Sequence, residues 1–266
     1  MATVLDSELV YKGLDALRAH CEEKNETNQD VQLIIHTGKK LGLKKDYVRR
    51  IIPLKRCRMN KPSDFRILLI TKDPSTKYRD VLTKDELTSE LFKEIVSIKN
   101  LKRRFRGSKL TSLYKEFDLV VADYRVHHLL PDILGNRFYQ SGKKTPYMIR
   151  INKSIKEKRS KMDETVDIKY IKAQMKSICK NTSYLPNDDN CINVKVGHMD
   201  KQSNHDIFNI IEDVLTFLTD RNEKPVGGVI KGGVKSLQIK TNSSTSIPIY
   251  YEKEKIAVPN EKELKL

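Results

Sequence analysis

The chain has 266 residues and 51 Lys and Arg against 35 Asp and Glu, a net charge of +16, with 38% hydrophobic residues. That length allows one large domain or two modest ones, and the periodic aliphatic runs exclude a wholly disordered chain. The unbalanced positive charge implies a polyanionic partner, nucleic acid first and an anionic membrane surface second.

In chain order, Leu5, Leu9, Leu14, Leu17 and Cys21 recur at helical steps and predict an N-terminal helix. Val31, Leu33 and Ile35 alternate as a strand. A basic stretch follows, with Lys39, Lys40, Lys44, Lys45, Arg49 and Arg50, and Ile51, Ile52 and Leu54 form a short strand within it. Pro53 and Pro62 bracket a crossing between two bodies. From Phe65 the pattern alternates strand and helix. The apolar run of residues 66–71 reads as a strand covered on both faces. Thr83 with Glu86 makes a capping-box pattern, and Leu87, Leu91, Ile95 and Val96 predict the helix behind it. A second basic cluster holds Lys99, Lys102, Arg103, Arg104, Arg106 and Lys109, and Leu110, Leu113 and Tyr114 suggest a short helix. Residues 117–122 predict a buried strand, 126–138 a helix interrupted near Pro131 and Gly135, and 145–151 a further strand.

A basic segment with Lys153, Lys156, Lys158, Arg159 and Lys161 reads as the return crossing. Ile168, Ile171, Met175, Ile178 and Cys179 mark a helix, and Ile192, Val194 and Val196 a strand ending at Gly197. Ser203 with Asp206 is a second capping box, before the stripe Ile207, Ile210, Ile211, Val214, Leu215 and Leu218. Then Val234, Leu237 and Ile239 form one strand, and Ile247, Ile249 and Tyr251 alternate as another. A charged tail follows Glu252. Between the last two strands lie Thr241, Asn242, Ser243, Ser244, Thr245 and Ser246, without an acid or a large side chain, and Lys235 and Lys240 flank them. Short hydroxyl and amide side chains leave backbone amides open to phosphate or ribose oxygens, although such residues also form plain solvated turns. The middle body reads as a mostly parallel sheet with helices on its faces. Either this body, about residues 62–152, is inserted into a first domain built from both chain ends, or the chain forms two consecutive domains.

Signals for catalysis are weak. No G-x-G-x-x-G follows a strand, and the glycines 227, 228, 232 and 233 fail as a phosphate loop because Gly233 and Val234 stand where Lys and Ser or Thr are needed. Asp118 and Asp123 bracket one strand, with Asp123 equally a turn or cap residue. His127 and His128 lack a cysteine or acid at ligand spacing. The four cysteines, Cys21, Cys57, Cys179 and Cys191, contain no C-x-x-C pair and fit a reducing compartment, and Cys179, Cys191 and His198 match no common zinc spacing. The expectation is a chain with no cofactor, metal or small-molecule substrate; a nucleotide-using α/β enzyme is the runner-up. The acidic N-terminus lacks a signal-peptide pattern, and no apolar run approaches ~20 residues, so a soluble intracellular protein with no membrane partner is expected.

Val194-Lys-Val-Gly197, Ile207-Phe-Asn-Ile-Ile211 and Gly233-Val-Lys-Ser236, leading into Leu237-Gln-Ile-Lys-Thr-Asn-Ser-Ser-Thr245, resemble the C-terminal half of the ribosomal protein L1 family. Phe117-Asp-Leu-Val-Val-Ala-Asp-Tyr-Arg-Val126, Leu130-Pro131, Leu134-Gly135, Phe138-Tyr139 and Lys143-Lys144-Thr-Pro146 resemble the family's nucleolar, ribosome-biogenesis branch, which includes an L1-domain protein of the small-subunit processome. The resemblance implies a two-domain α/β fold. A split α/β RNA-binding domain, residues 1–61 and 153–266, would carry an inserted Rossmann-like three-layer domain, residues 62–152. It also implies a non-enzymatic factor in the nucleus and nucleolus that binds structured ribosomal or pre-ribosomal RNA in 18S rRNA maturation, beside neighbouring pre-ribosomal proteins. A module that mainly contacts those proteins is the alternative.

Within that resemblance, RNA is gripped by the loop aligned with residues 241–245 and by the first strand, residues 31–37. The implied RNA-binding set is Lys39, Lys40, Lys44, Lys45, Arg49, Arg50, Lys195, His198, Lys235, Lys240, Thr241, Asn242, Ser243, Ser244 and Thr245. Ribosomal members carry Thr-Met-Gly-Pro where this chain has Asn242, Ser243, Ser244 and Thr245, and Val31 replaces an aromatic residue, which fits a paralogue with another RNA site.

Overall fold

The computed structural model describes residues 5–140, 142, 144–152 and 165–252. The expected return crossing runs from Asn152 to Lys161; all of it after Asn152, and the charged tail after Glu252, lie outside the described residues.

Helix α1, Ser7–Glu23, starts where the Asp6 carboxylate accepts the Glu8 backbone N–H at 3.0 Å. Its inner stripe is Val10, Leu14, Leu17 and Cys21, while Leu9 is exposed. Strands β1, Asp30–Thr37, and β2, Arg50–Ile52, follow. The middle of the chain runs β3 (Ile67–Thr71), α2 (Ser75–Lys84), β4 (Glu94–Ser97), α3 (Ile98–Arg104), α4 (Ser108–Glu116), β5 (Leu119–Asp123), α5 (Tyr124–His127), α6 (Leu130–Tyr139) and β6 (Tyr147–Ile149). The remainder is α7 (Ile168–Lys180), β7 (Thr182–Tyr184), β8 (Cys191–His198), α8 (Asn204–Thr219), β9 (Val234–Lys240) and β10 (Ile247–Tyr251).

Both ends of the chain supply one antiparallel sheet in the order β10-β9-β1-β8. Alternate residues Val31, Leu33 and Ile35 of β1 pack with Val194 and Val196 of β8 and Leu237 and Ile239 of β9. The covering layer on that face is α1 and α8. Helix α8 begins at the predicted capping box, where Ser203 Oγ accepts the Asp206 N–H at 3.1 Å. The residues of its predicted stripe are all buried.

The middle of the chain builds a parallel sheet in the order β4-β3-β5-β6. All of β3 is buried because the strand feeds two cores. Leu68 and Ile70 face the side of α3, α4 and α6, whereas Ile67 and Leu69 face the side of α2 and α7. Helix α7 follows residue 152, yet Ile171, Met175 and Ile178 pack beside Ile67 and Ile149. A small antiparallel pair, β2 with β7, completes the sheets.

Three expectations are corrected. The helix of Leu87, Leu91, Ile95 and Val96 does not form. The helix there is α2, upstream, and Thr83 is inside it, donating its hydroxyl to the Arg79 carbonyl at 2.8 Å. Ile95 and Val96 instead sit on β4 and point into opposite cores, which suits adjacent β-branched residues on a strand buried on both sides. Tyr251 does not alternate inward with Ile249. A register shift between Pro248 and Tyr250 turns it out, 61% exposed. Strand β7 was not anticipated, since Thr182, Ser183 and Tyr184 carry no apolar alternation.

Candidate nucleic-acid interface

The second face of the antiparallel sheet has no covering layer among the described residues. Outward positions fall into rows across three strands. Gln32 on β1 lies between Lys195 on β8 and Lys240 on β9, and Ile34 lies between Asn193 and Gln238. Asn193 donates its amide to Gln32 Oε1 at 2.9 Å, and Gln32 donates its own to Asn242 Oδ1 at 2.8 Å. This amide chain links the strand face to the turn at residues 241–246. Lys195 pairs with Asp30 at 2.5 Å, whereas Lys240 has no ion pair among the described residues.

The turn is held by its own side chains. The Thr241 N–H donates to Ser244 Oγ at 2.9 Å, and the Ser244 N–H donates to Thr241 Oγ1 at 3.2 Å. Two backbone amides expected to meet a ligand are therefore internal. Ser243 donates its hydroxyl to the Glu26 carboxylate, so an acid lies beside the turn. Asn242 and Thr245 are exposed, and Thr241 is buried.

The other predicted residues divide. Lys235 does not flank the turn with Lys240. It lies five residues back along β9, about 17 Å away, paired with Glu252 at 2.5 Å. There it joins Lys39 and Lys40, because the chain crosses itself at two glycines. The Gly38 N–H donates to the Gly233 carbonyl at 3.1 Å and the Lys39 N–H to the Lys231 carbonyl at 3.2 Å. Lys231, which sequence reasoning missed, belongs to this basic end. Lys44 is exposed, and Lys45 lies 5.6 Å from the Tyr47 ring centroid. Arg50 pairs with Asp46 at 2.5 Å.

Two members of the predicted set turn inward. Arg49 donates to the Thr145 carbonyl at 3.1 Å, to Ser183 Oγ at 3.2 Å and to the Gly142 carbonyl. His198 is buried; its Nδ1 accepts the Asp200 N–H at 3.2 Å, leaving Nε2–H to donate to Asn28 Oδ1 at 2.7 Å. Burial holds that imidazole below its ordinary pKa of 6.5, so it is neutral at pH 7. Gln32, Asn193 and Gln238 were also missed, although the outward parity of their strands marks them.

Elsewhere, Asp123 caps α5 and pairs with Arg125, which also donates to Tyr78 at 2.9 Å. Cys191 and His198 stand at opposite ends of β8, and burial pushes the Cys179 thiol to about 12. Among the described residues no group of three His, Cys, Asp or Glu is placed to hold a metal, and no helix is long and apolar enough to cross a membrane.

An open antiparallel sheet face of amides and lysines thus ends in a hydroxyl turn, on a chain that also carries a parallel α/β sheet. The sequence model of the ribosomal protein L1p/L10e family matches residues 17–245. The chain belongs to that family. It is 58% identical over 249 residues to the ribosome biogenesis protein UTP30 of Saccharomyces cerevisiae, covering 93% of this chain and 91% of that one. A putative ribosome biogenesis protein of Schizosaccharomyces pombe is 28% identical, covering 91% of this chain and 58% of its own length. The proteasome-interacting protein CIC1 of S. cerevisiae is 24% identical, covering 85% and 59%. This L1-family chain therefore groups with ribosome biogenesis proteins and not with enzymes. The mixed α/β architecture, with an antiparallel and a parallel four-stranded sheet, is that of the expected fold class.

Proposed function

We propose that this L1-family protein is a nucleolar ribosome-biogenesis factor that binds structured pre-ribosomal RNA through the open sheet face, the hydroxyl turn and the basic end, within a small-subunit precursor. The row Lys195, Gln32 and Lys240, continued by Asn242, supports it most directly. Lysine heads meet phosphates, while amides donate to and accept from ribose hydroxyls and base edges. Lys195 pairs with Asp30, a partly exposed ion pair worth about 0–1 kcal/mol, so an RNA phosphate can take over that ammonium at small cost. Catalysis has no part in this function. We also propose two domains, residues 1–61 with 153–266 and residues 62–152, with α7 unfolding alongside the parallel sheet it packs on.

Filter binding to pre-ribosomal RNA fragments over a salt series tests the RNA contact. Affinity should fall with salt at a log–log slope of roughly −0.7 to −0.9 per phosphate neutralised. Lys195→Glu with Lys240→Glu should lower affinity at least tenfold and make the slope shallower. Wild-type binding by that double variant would overturn the assignment. So would crosslinks in isolated pre-ribosomes that join this face to proteins alone.

A further inference from the structure

Helices α3 and α4 carry a second positive surface, on elements that take no part in the antiparallel sheet. From residue 98 to residue 115 there is no Asp or Glu, while Lys99, Lys102, Arg103, Arg104, Arg106, Lys109 and Lys115 are all present. Ile98, Leu101 and Phe105 turn inward onto the core of Leu68, Ile70 and Val120. That leaves Lys99, Lys102 and Arg103 on the exposed side of α3, with Arg106, exposed as well, just past its C-terminal end. Like charges three and four residues apart destabilise a helix and are relieved by an anion lying along them.

Internal acids do not supply that relief. Glu94 pairs with Arg104 at 3.3 Å, and the Lys99 backbone N–H reaches Asp73 at 3.2 Å. Arg103 donates to Asn100 Oδ1 at 3.3 Å, and Arg106 donates to the Lys102 carbonyl at 2.8 Å. Among the described residues, the side chains of Lys99, Lys102, Arg103 and Arg106 have no carboxylate partner. Beside this row an open cleft of about 250 Å³ is lined by Arg104, Phe105, Lys109, Ser112, Leu113 and Glu116. Phe105 and Leu113 give it an apolar surface, and the Arg104 guanidinium lies 5.3 Å from the Phe105 ring centroid.

We propose that the α3–α4 ridge is a second RNA contact, taking a single-stranded segment with its phosphates along Lys99, Lys102, Arg103 and Arg106 and one base in the cleft against Phe105. The proposal rests on the RNA-binding function above and extends it to a separate surface. An acidic polypeptide would match the row of charge but not the cleft. Apolar surface flanked by cations suits a planar base, which stacks without regard to sequence.

Binding of the full chain to a pre-ribosomal RNA hairpin, with and without a single-stranded flank, provides the test. Lys102→Glu with Arg103→Glu and Arg106→Glu should weaken binding of the flanked RNA at least tenfold and make its log–log salt slope shallower by roughly 2. Phe105→Leu, which keeps an apolar side chain on the core, should weaken the flanked RNA by roughly fivefold or more and spare the bare hairpin. Phe105→Leu carries the test if the charge reversal fails to fold. A control changing Lys169, Lys172 and Lys176 on α7 to Glu alters net charge equally and should cost less.

Unchanged affinity for the flanked RNA in both α3 variants would overturn the proposal. So would an equal loss from the α7 control, or competition by polyglutamate as strong as that by an oligonucleotide of equal charge. If the α3 variants bind normally while Lys195→Glu with Lys240→Glu does not, only the second contact falls. If all of them bind normally, the RNA-binding function falls with it.

Discussion

Both ring nitrogens of His198 are occupied before any ligand arrives, one accepting from Asp200 and the other donating to Asn28. His127 is also buried, with Nε2 within 3.3 Å of the Pro146 carbonyl. Burial lowers both folded-state pKa values below 6.5, so the unfolded chain binds these protons first as pH falls. The histidine contribution to stability is thus complete above about pH 7 and is lost as pH drops through 6.5 toward the folded-state values. Urea midpoints measured between pH 7 and pH 5 should decline, and His198→Gln should flatten part of that decline. A midpoint that rises on acidification would mean the imidazoles fold charged. The same scale separates Lys240 from Arg49. Both are strand-associated cations in the sequence, but only Lys240 stands beside the open turn, whereas Arg49 is drawn inward by carbonyl oxygens.

At the scale of elements, the basic end of the antiparallel sheet depends on the crossing of two glycine segments. A Cβ on Gly38 would stand 2.2 Å from the Gly232 carbonyl oxygen, and Gly232 itself has φ +73°. Neither backbone can yield without losing the bonds from Gly38 to Gly233 and from Lys39 to Lys231. Gly38→Ala should therefore destabilise the protein by about 1–3 kcal/mol, the range for overpacking, and weaken RNA binding beyond what stability explains by displacing Lys39 and Lys40. Thermal melts alongside filter binding check both; an unchanged melt with unchanged binding would show the crossing to be loose. Helix α8 is the opposite case. Its capping box and apolar stripe are local and were legible in the sequence. The strand at Ile95 and Val96 was not, because its two neighbours point to different cores that only the folded sheet defines.

For the molecule as a whole, chain-end and middle segments meet along α7 as well as at the β2–β7 pair. Arg49 reaches Thr145 and Gly142 from there, Tyr147 bonds Ser183 at 2.8 Å, and Tyr47 packs on the α6 side through Tyr139 at 5.0 Å. Removing one guanidinium with several internal acceptors should uncouple the two sheets more than it unfolds either. Arg49→Ala is expected to cost about 2–3 kcal/mol and to split or broaden the urea transition, with a lower apparent slope. A single sharp transition at the wild-type midpoint would show that the sheets are joined elsewhere. Lysine at 49 should not restore the coupling, since one ammonium cannot span the acceptors of a planar fork.

The family came from the resemblance of its motifs, while from order and periodicity alone came the parallel middle sheet, α8 and its cap, the fully covered β3 and the basic character of the chain. These depend on local propensity and on burial repeating at a fixed step, which a linear pattern carries. Which lysines share a surface was decided only by pairing across the sheet. Register brings Lys195 and Lys240 to either side of Gln32 although 45 positions separate them in the chain, and it sends Lys235 to the far end. It also decided that His198 and Arg49 serve the interior, because a side chain's partners are set by what folds back upon it.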